Sequence, residues 1–296
     1  MRRYRFVTLD VFTDRRFGGN QLAVFPDARG LDEAEMQALA AEFNLSETTF
    51  VLPPADPANT ARVRIFNRVA EMPFAGHPSV GTAWVLAREG WGDGAGLRLE
   101  EMAGLVEVEL WRDAAGAVQG AAIAAPQPLS IGPAMPVAAI AACAGLEPAA
   151  VVTAHHPPQL AGDGGNPRVL VEVTADGLAA ARPDLGAFQR CVAAQPALGG
   201  KLSLYLYRRD GERLRTRMFS PLTGTWEDPA TGSAATPLAG FLLHLSGAES
   251  ASLDMLQGIE MGRPSLLRTT ARRTAAGIRA TVGGGCVPVL RGEAEL

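Results

Sequence analysis

Arg62-Val63-Arg64-Ile65-Phe66 returns 153 residues later as Arg215-Thr216-Arg217-Met218-Phe219. Soon after each copy stands a Glu-x-Pro-x-x-Gly turn: Glu71-Met72-Pro73-Phe74-Ala75-Gly76 and, 156 residues on, Glu227-Asp228-Pro229-Ala230-Thr231-Gly232. Each turn runs into an apolar helical pattern. A segment repeated at half the chain length points to two like halves facing each other across a cleft. Positions where the copies differ are then the first candidates for chemistry.

Working outward, residues 4–12 and 20–25 alternate as strands do, with a turn at Arg16-Phe17-Gly18-Gly19-Asn20 between them. Asp32 with Glu35 makes a capping box. Met36, Leu39, Ala40 and Phe43 then follow at the spacing of one helical face. Thr48–Leu52 and Arg62–Phe66 are rich in strand formers, and Pro78–Arg88 is a helix apolar on most sides, hence buried. The second half repeats this order, with a helix at Asp184–Ala194, strands at Leu202–Tyr207 and Arg213–Phe219, and an apolar helix at Ala234–Leu245. The tail Ala280–Leu290 reads as a strand. Residues 113–136 are rich in Gly, Ala and Pro. The boundary is placed there, giving halves of 1–122 and 123–296, with the last dozen or so residues free to return to the first.

The 296 residues suit two domains. A net charge of −4 without a basic run argues against a nucleic-acid partner. The basic side chains are arginines apart from Lys201. No apolar run is long enough for a membrane span, and the start lacks a signal-peptide pattern. Cys143, Cys191 and Cys286 are scattered, forming neither a disulfide framework nor a metal pattern. The expectation is a cytoplasmic protein with no metal, no nucleic-acid partner and no membrane partner. Gly92–Gly96 and Gly162–Gly165 lack the strand-to-helix context of a dinucleotide loop and read as turns. His155-His156 has no carboxylate or cysteine at ligand spacing and reads as a loop.

The turns carry the chemistry. A helix N-terminus offers unpaired N–H groups and partial positive charge, which together hold an anion. Gly76 and Gly232 let the backbone approach a ligand. His77 and Ser233 are placed at the N-caps, with Pro78 at the first helical position. Two such ends on one small cleft suit a carboxylate. Asp228 faces Met72 across the repeat, so a carboxylate stands in one copy only. Glu47, in Leu45-Ser46-Glu47-Thr48-Thr49-Phe50, maps by the 153-residue offset onto Gly200 and is also unmatched. A glutamate among apolar strand residues is a candidate base. Ordinary caps, a surface aspartate and a solvated loop glutamate are the bland alternatives.

Asp10-Val11-Phe12-Thr13-Asp14 with Phe17-Gly18-Gly19-Asn20, Ser46–Phe50, Pro73–His77 and Glu227–Ser233 together resemble the PhzF-like phenazine-biosynthesis isomerases, in order and over nearly the whole chain. The resemblance implies an α/β (α+β) fold of two pseudo-symmetric diaminopimelate epimerase-like halves. Each half is a barrel-like sheet around a central helix, with the active site in the cleft between them. It implies Glu47 as the group that moves the proton, His77 and Asp228 as catalytic partners, and Gly76, Gly232 and Ser233 as the carboxylate site. The implied reaction is cofactor-independent isomerisation of trans-2,3-dihydro-3-hydroxyanthranilate or a similar small acid. A proton leaves one ring carbon and returns at another on the same face, and the resulting enol becomes a ketone. A homodimer is the family-level expectation.

The related epimerases and proline racemases use one cysteine per turn. Here Ala75 and Pro229 are read at those positions, and neither exchanges a proton. The rival readings are an epimerase or dehydratase of an amino-acid-like substrate and a non-catalytic carboxylate binder on the same scaffold.

Overall fold

A computed structural model describes residues 1–92, 94 and 96–296. Asp93 and Ala95 of the expected Gly92–Gly96 turn lie outside the described residues. The chain forms two compact units, one of residues 1–126 with 281–296 and one of residues 127–280.

The first unit contains β1 (Arg3–Val11), β2 (Asn20–Phe25), α1 (Glu33–Phe43), β3 (Glu47–Leu52), β4 (Ala61–Phe66), β5 (Glu71–Met72), α2 (Gly76–Arg88), β6 (Gly96–Glu101), β7 (Gly104–Arg112) and β8 (Val118–Ala124). Pairing runs β1–β2 antiparallel, β2–β3 parallel, β3–β4 antiparallel, β4–β6 parallel, then β6–β7 and β7–β8 antiparallel. The C-terminal strand pairs with β8 through residues 281–285 and with β1 through residues 286–295. The ring therefore closes as a barrel of eight strands, which has no free edge.

Helix α2 fills this barrel, packing on β1, β2, β3, β6, β7 and β8. Its residues from Gly76 to Leu86 are all buried, so the apolar pattern on every side is what the position requires. Gly81 permits the closest approach, since a Cβ there would stand 2.6 Å from Leu22 Cδ2 and 2.8 Å from Val11 Cγ2. Gly19, at φ +61°, sets the turn into β2, where a Cβ would stand 2.3 Å from Val11 O. Helix α1 carries the expected Asp32–Glu35 capping box. It packs on β3 and β4, in a cluster where Phe25 stacks on Phe50.

The second unit repeats the order. It contains β9 (Ser130–Ala134), α3 (Val137–Cys143), β10 (Gln159–Gly162), β11 (Arg168–Glu172), α4 (Ala175–Ala180), α5 (Leu185–Ala194), β12 (Leu204–Asp210), β13 (Arg213–Ser220), β14 (Thr225–Asp228), α6 (Gly232–Ser246), β15 (Ser250–Gln257), β16 (Ser265–Thr274) and the start of β17 (Gly277–Glu295). β11–β12 and β13–β15 are parallel, as β2–β3 and β4–β6 are. Helix α6 packs on β10, β11, β15 and β16 and is buried from Ala234 to Leu243. Each unit is thus a sheet wrapped on a central helix, as the resemblance implies.

Strand register corrects the offset used for Glu47. Thr48 pairs with Phe66, and Leu204 pairs with Phe219, the repeat counterpart of Phe66. Glu47 therefore corresponds to Ser203 and not to Gly200, because the second hairpin is three residues shorter. Met72 pairs with Ile65 and Asp228 with Met218, so that correspondence stands.

Candidate functional site

A bidentate ion pair anchors each turn. Arg64 reaches Glu71 through Nε (2.6 Å) and Nη2 (2.5 Å), and Arg217 reaches Glu227 the same way at 2.7 and 2.9 Å. The repeated Arg-x-Phe and Glu-x-Pro motifs are thus the two ends of one staple between a strand and the turn that follows.

Both helices begin earlier than expected. The N-cap of α2 is Ala75 and that of α6 is Thr231, so His77 and Ser233 occupy the second helical position and Pro78 the third. Thr231, not Pro229, is the counterpart of Ala75. Neither N-cap side chain caps its helix. The first N–H groups, on Gly76 and His77 and on Gly232 and Ser233, therefore keep their anion-binding capacity.

In the first unit the structure brings Glu47 and His77 together. Glu47 opens β3, and its Oε2 lies 3.3 Å from His77 Nε2. The same nitrogen lies 3.3 Å from Gln21 O. The Gln21 carbonyl is an acceptor, which assigns the ring proton to Nε2. Burial pushes His77 down to about 3, while the Gln21 carbonyl pulls weakly the other way. At neutral pH His77 is therefore an uncharged imidazole whose Nε2–H bonds Gln21 O, and the close approach of Glu47 Oε2 is neither an ion pair nor a hydrogen bond.

In the second unit Thr231 Oγ1 donates to Asp228 Oδ2 (2.5 Å), fixing the carboxylate at the end of β14. Gln257, fully buried at the end of β15, holds the whole turn. Its Nε2 donates to Asp228 O (2.7 Å) and Thr231 Oγ1 (3.0 Å), and its Oε1 accepts from Thr231 N (3.2 Å) and Tyr205 OH (3.0 Å). Ser233 Oγ accepts from Arg168 Nη2 (3.3 Å).

Sequence reasoning did not single out Arg168, Gln257 or Glu101. Glu101 is the counterpart of Gln257 and could have been found, since the two are 156 residues apart like the turns. Register agrees: Arg62 pairs with Glu100 and Arg215 with Leu256. Ser79 Oγ lies 2.5 Å from Glu101 Oε1 and 2.8 Å from Ala75 O, so Glu101 reaches its own N-cap through one hydroxyl.

The His155-His156 loop is tied inward. His156 Nε2 lies 2.6 Å from Tyr207 OH, and His155 Nδ1 lies 2.8 Å from Glu172 Oε2. Among the described residues no group of three or more His, Cys, Asp and Glu could hold a metal ion. No helix among them is long and apolar enough to cross a membrane. The three cysteines are free and buried.

The profile of the PhzC-PhzF family, described as phenazine biosynthesis-like protein, matches residues 9–292. An uncharacterized isomerase of Mesorhizobium japonicum is 38% identical, over 99% of each chain. The trans-2,3-dihydro-3-hydroxyanthranilate isomerase of Pseudomonas fluorescens is 36% identical, over 99% of this chain and 100% of that one. Among solved structures, a phenazine biosynthesis protein of the PhzF family from Bacillus anthracis is similar in fold, with TM-score 0.89, 24% identity and 100% of both chains covered.

Proposed function

The chain belongs to the PhzC-PhzF family and is an isomerase, and from that premise we propose that it shifts a proton within a small carboxylic acid, with Glu47 as the acid/base and no cofactor. The observation that carries this reading is the Glu47–His77 pair. The Glu47 carboxylate stands 3.3 Å from a buried imidazole that is itself uncharged at neutral pH. It can take a proton from one carbon and return it to another.

Each remaining residue takes the part its surroundings support. The neutral His77, its Nε2–H on Gln21 O, stands against the Glu47 carboxylate and lines the place where the proton is moved. Asp228, fixed by Thr231 and by Gln257 on its backbone, accepts from an amino or hydroxyl group of the substrate. Gly76, Gly232 and Ser233 supply helix-end N–H groups, and Ser233 a hydroxyl, for the carboxylate. The substrate assigned is trans-2,3-dihydro-3-hydroxyanthranilate or a close analogue, on the support of the Pseudomonas fluorescens relative. Homodimer assembly belongs to the same reading.

The test is an ultraviolet and proton-NMR assay in D2O with that compound, on wild type and Glu47→Gln. Turnover with deuterium entering a ring carbon, lost in Glu47→Gln, supports the reading. Full activity in Glu47→Gln removes Glu47 as the acid/base. Deuterium entering at a stereocentre with no spectral change transfers the assignment to epimerisation.

A further inference from the structure

The two halves differ beside their anion-binding turns in a way the turn motifs do not show. Leu22 pairs with Glu47 in the first unit. In the second, Val169 pairs with Leu204 and donates its N–H to Ser203 O. Since Ser203 is the counterpart of Glu47, Arg168 is the counterpart of Leu22. The first half carries a carboxylate next to an aliphatic side chain, and the second carries a hydroxyl next to a guanidinium.

That guanidinium is in an unusual state for a protein interior. Arg168 is 7% exposed. Nη1 donates to Pro167 O (3.3 Å) and Nη2 to Ser233 Oγ (3.3 Å), both long, and Nε has no hydrogen-bond partner among the described residues. Burial pushes it down to about 10, with Asp228 and Asp163 acting the other way through their charges. It is still charged at neutral pH. Arg168 also stands at the N-terminal turn of α6, the positive end of that helix. Asp228 and Asp163 offset part of the cost of burying this cation, and its idle Nε donor at a positive helix end leaves it able to favour a further anion.

We propose that Arg168 assigns the substrate's carboxylate to the α6 turn and sets the preference of the site for an anion over a neutral group. By donating to Ser233 Oγ, Arg168 turns the serine's own proton away from itself and toward a ligand. The carboxylate then meets the Ser233 hydroxyl, the N–H groups of Gly232 and Ser233, and the field of Arg168. This inference rests on the isomerase reading and names the group within it that selects the substrate class.

The experiment compares binding of 3-hydroxyanthranilate and of its neutral carboxamide by calorimetry, in wild type, Arg168→Met and Arg168→Lys, with unfolding followed in parallel. Wild type is expected to favour the carboxylate. In Arg168→Met, carboxylate affinity should fall about 10–100-fold and the preference should collapse, as loss of a charge-assisted contact predicts. Unfolding followed in parallel shows that each variant is folded; Arg168→Met should be somewhat less stable than wild type, because the buried Asp228 and Asp163 lose a neighbouring cation. If Arg168→Met does not fold, Arg168→Lys is decisive, with a weakened preference expected. An undiminished preference in a folded Arg168→Met, or in Arg168→Lys if the methionine variant does not fold, overturns the inference. So does a wild type with no preference for the carboxylate. Failure of the isomerase reading shows up separately, as Glu47-independent activity in the D2O assay.

Discussion

Glu101 and Gln257 occupy the same position in the two halves, and each holds the N-cap of its central helix. Gln257 does so directly, with bonds to Thr231 N and Oγ1. Glu101 does so through Ser79, whose single hydroxyl proton cannot satisfy both Glu101 Oε1 and Ala75 O. The conflict disappears if Glu101 is protonated: its O–H donates to Ser79 Oγ, which donates to Ala75 O. A protonated carboxyl is then the counterpart of a neutral amide. Burial agrees, raising Glu101 to about 8, with Ser79 working weakly against it.

Removing the amide lock should loosen one turn and leave the other intact. In Gln257→Leu, Thr231 N loses its acceptor and the Asp228 carbonyl loses one donor, while Tyr205 OH keeps Thr216 Oγ1. Leaving a buried donor unpaired costs about 1–3 kcal/mol, so a loss of roughly 2 kcal/mol in urea unfolding is expected. The freed Asp228 should lower kcat by about tenfold or more, as misplacement of a positioned group does. Unchanged kcat in a folded Gln257→Leu would show that Asp228 does not depend on this bracket.

The Glu101 proton makes a prediction about pH. The unfolded chain releases this proton near 4.5, whereas the native state holds it to about 8. The native state therefore binds more protons across that window. Its contribution is complete below pH 4.5 and is lost as pH rises toward 8. His77 has the opposite sign. Its ordinary 6.5 falls to about 3, so stability is lost as pH drops from 6.5 toward 3. Asp163, raised to about 6 by burial, adds to the Glu101 slope only below that pH. Between pH 6.5 and 8 wild type should lose about 1 kcal/mol, less than the full 1.36 kcal/mol per unit, because Glu101 is half titrated at pH 8 and His77 runs the other way just above 6.5. Glu101→Gln should lack this fall and keep the acid limb. A Glu101→Gln profile parallel to wild type between pH 6.5 and 8 would assign the slope to another group.

Much of this arrangement was legible in the sequence because each short motif is repeated intact. The loop between them is not: Arg64 and Glu71 are seven residues apart and Arg217 and Glu227 ten, yet the same bidentate pair forms in both halves. Both central helices were visible because a helix inside a barrel is apolar all round. The N-caps were misplaced by two residues, since neither Ala75 nor Thr231 bonds its helix by a side chain and no capping signature marks the start. Arg168 was illegible for a different reason. It aligns with Leu22 only through strand pairing, and the loops between these strands differ in length, so no fixed offset connects them.

The two staples should differ in strength even though their geometry matches. The Arg217 side chain is 3% exposed, and its Nη1 also donates to Leu178 O and Ala181 O. Arg64 is 16% exposed and shares Nη2 between Glu71 and Glu33, the latter largely in solvent. Breaking a buried pair strands a charge and costs about 3–5 kcal/mol, whereas screening reduces the cost at the rim. Arg217→Lys loses the bidentate fork and both carbonyl bonds, so it should destabilise by about 3 kcal/mol, and Arg64→Lys by about 1 kcal/mol. The double variant Arg217→Met with Glu227→Leu separates charge from architecture. If the stranded Glu227 carboxylate is the main penalty, removing both partners should recover most of the stability lost in Arg217→Met alone. If the double variant is as unstable as Arg217→Met, the loss lies in the Leu178 and Ala181 carbonyls, and the arginine serves mainly to close the end of α4.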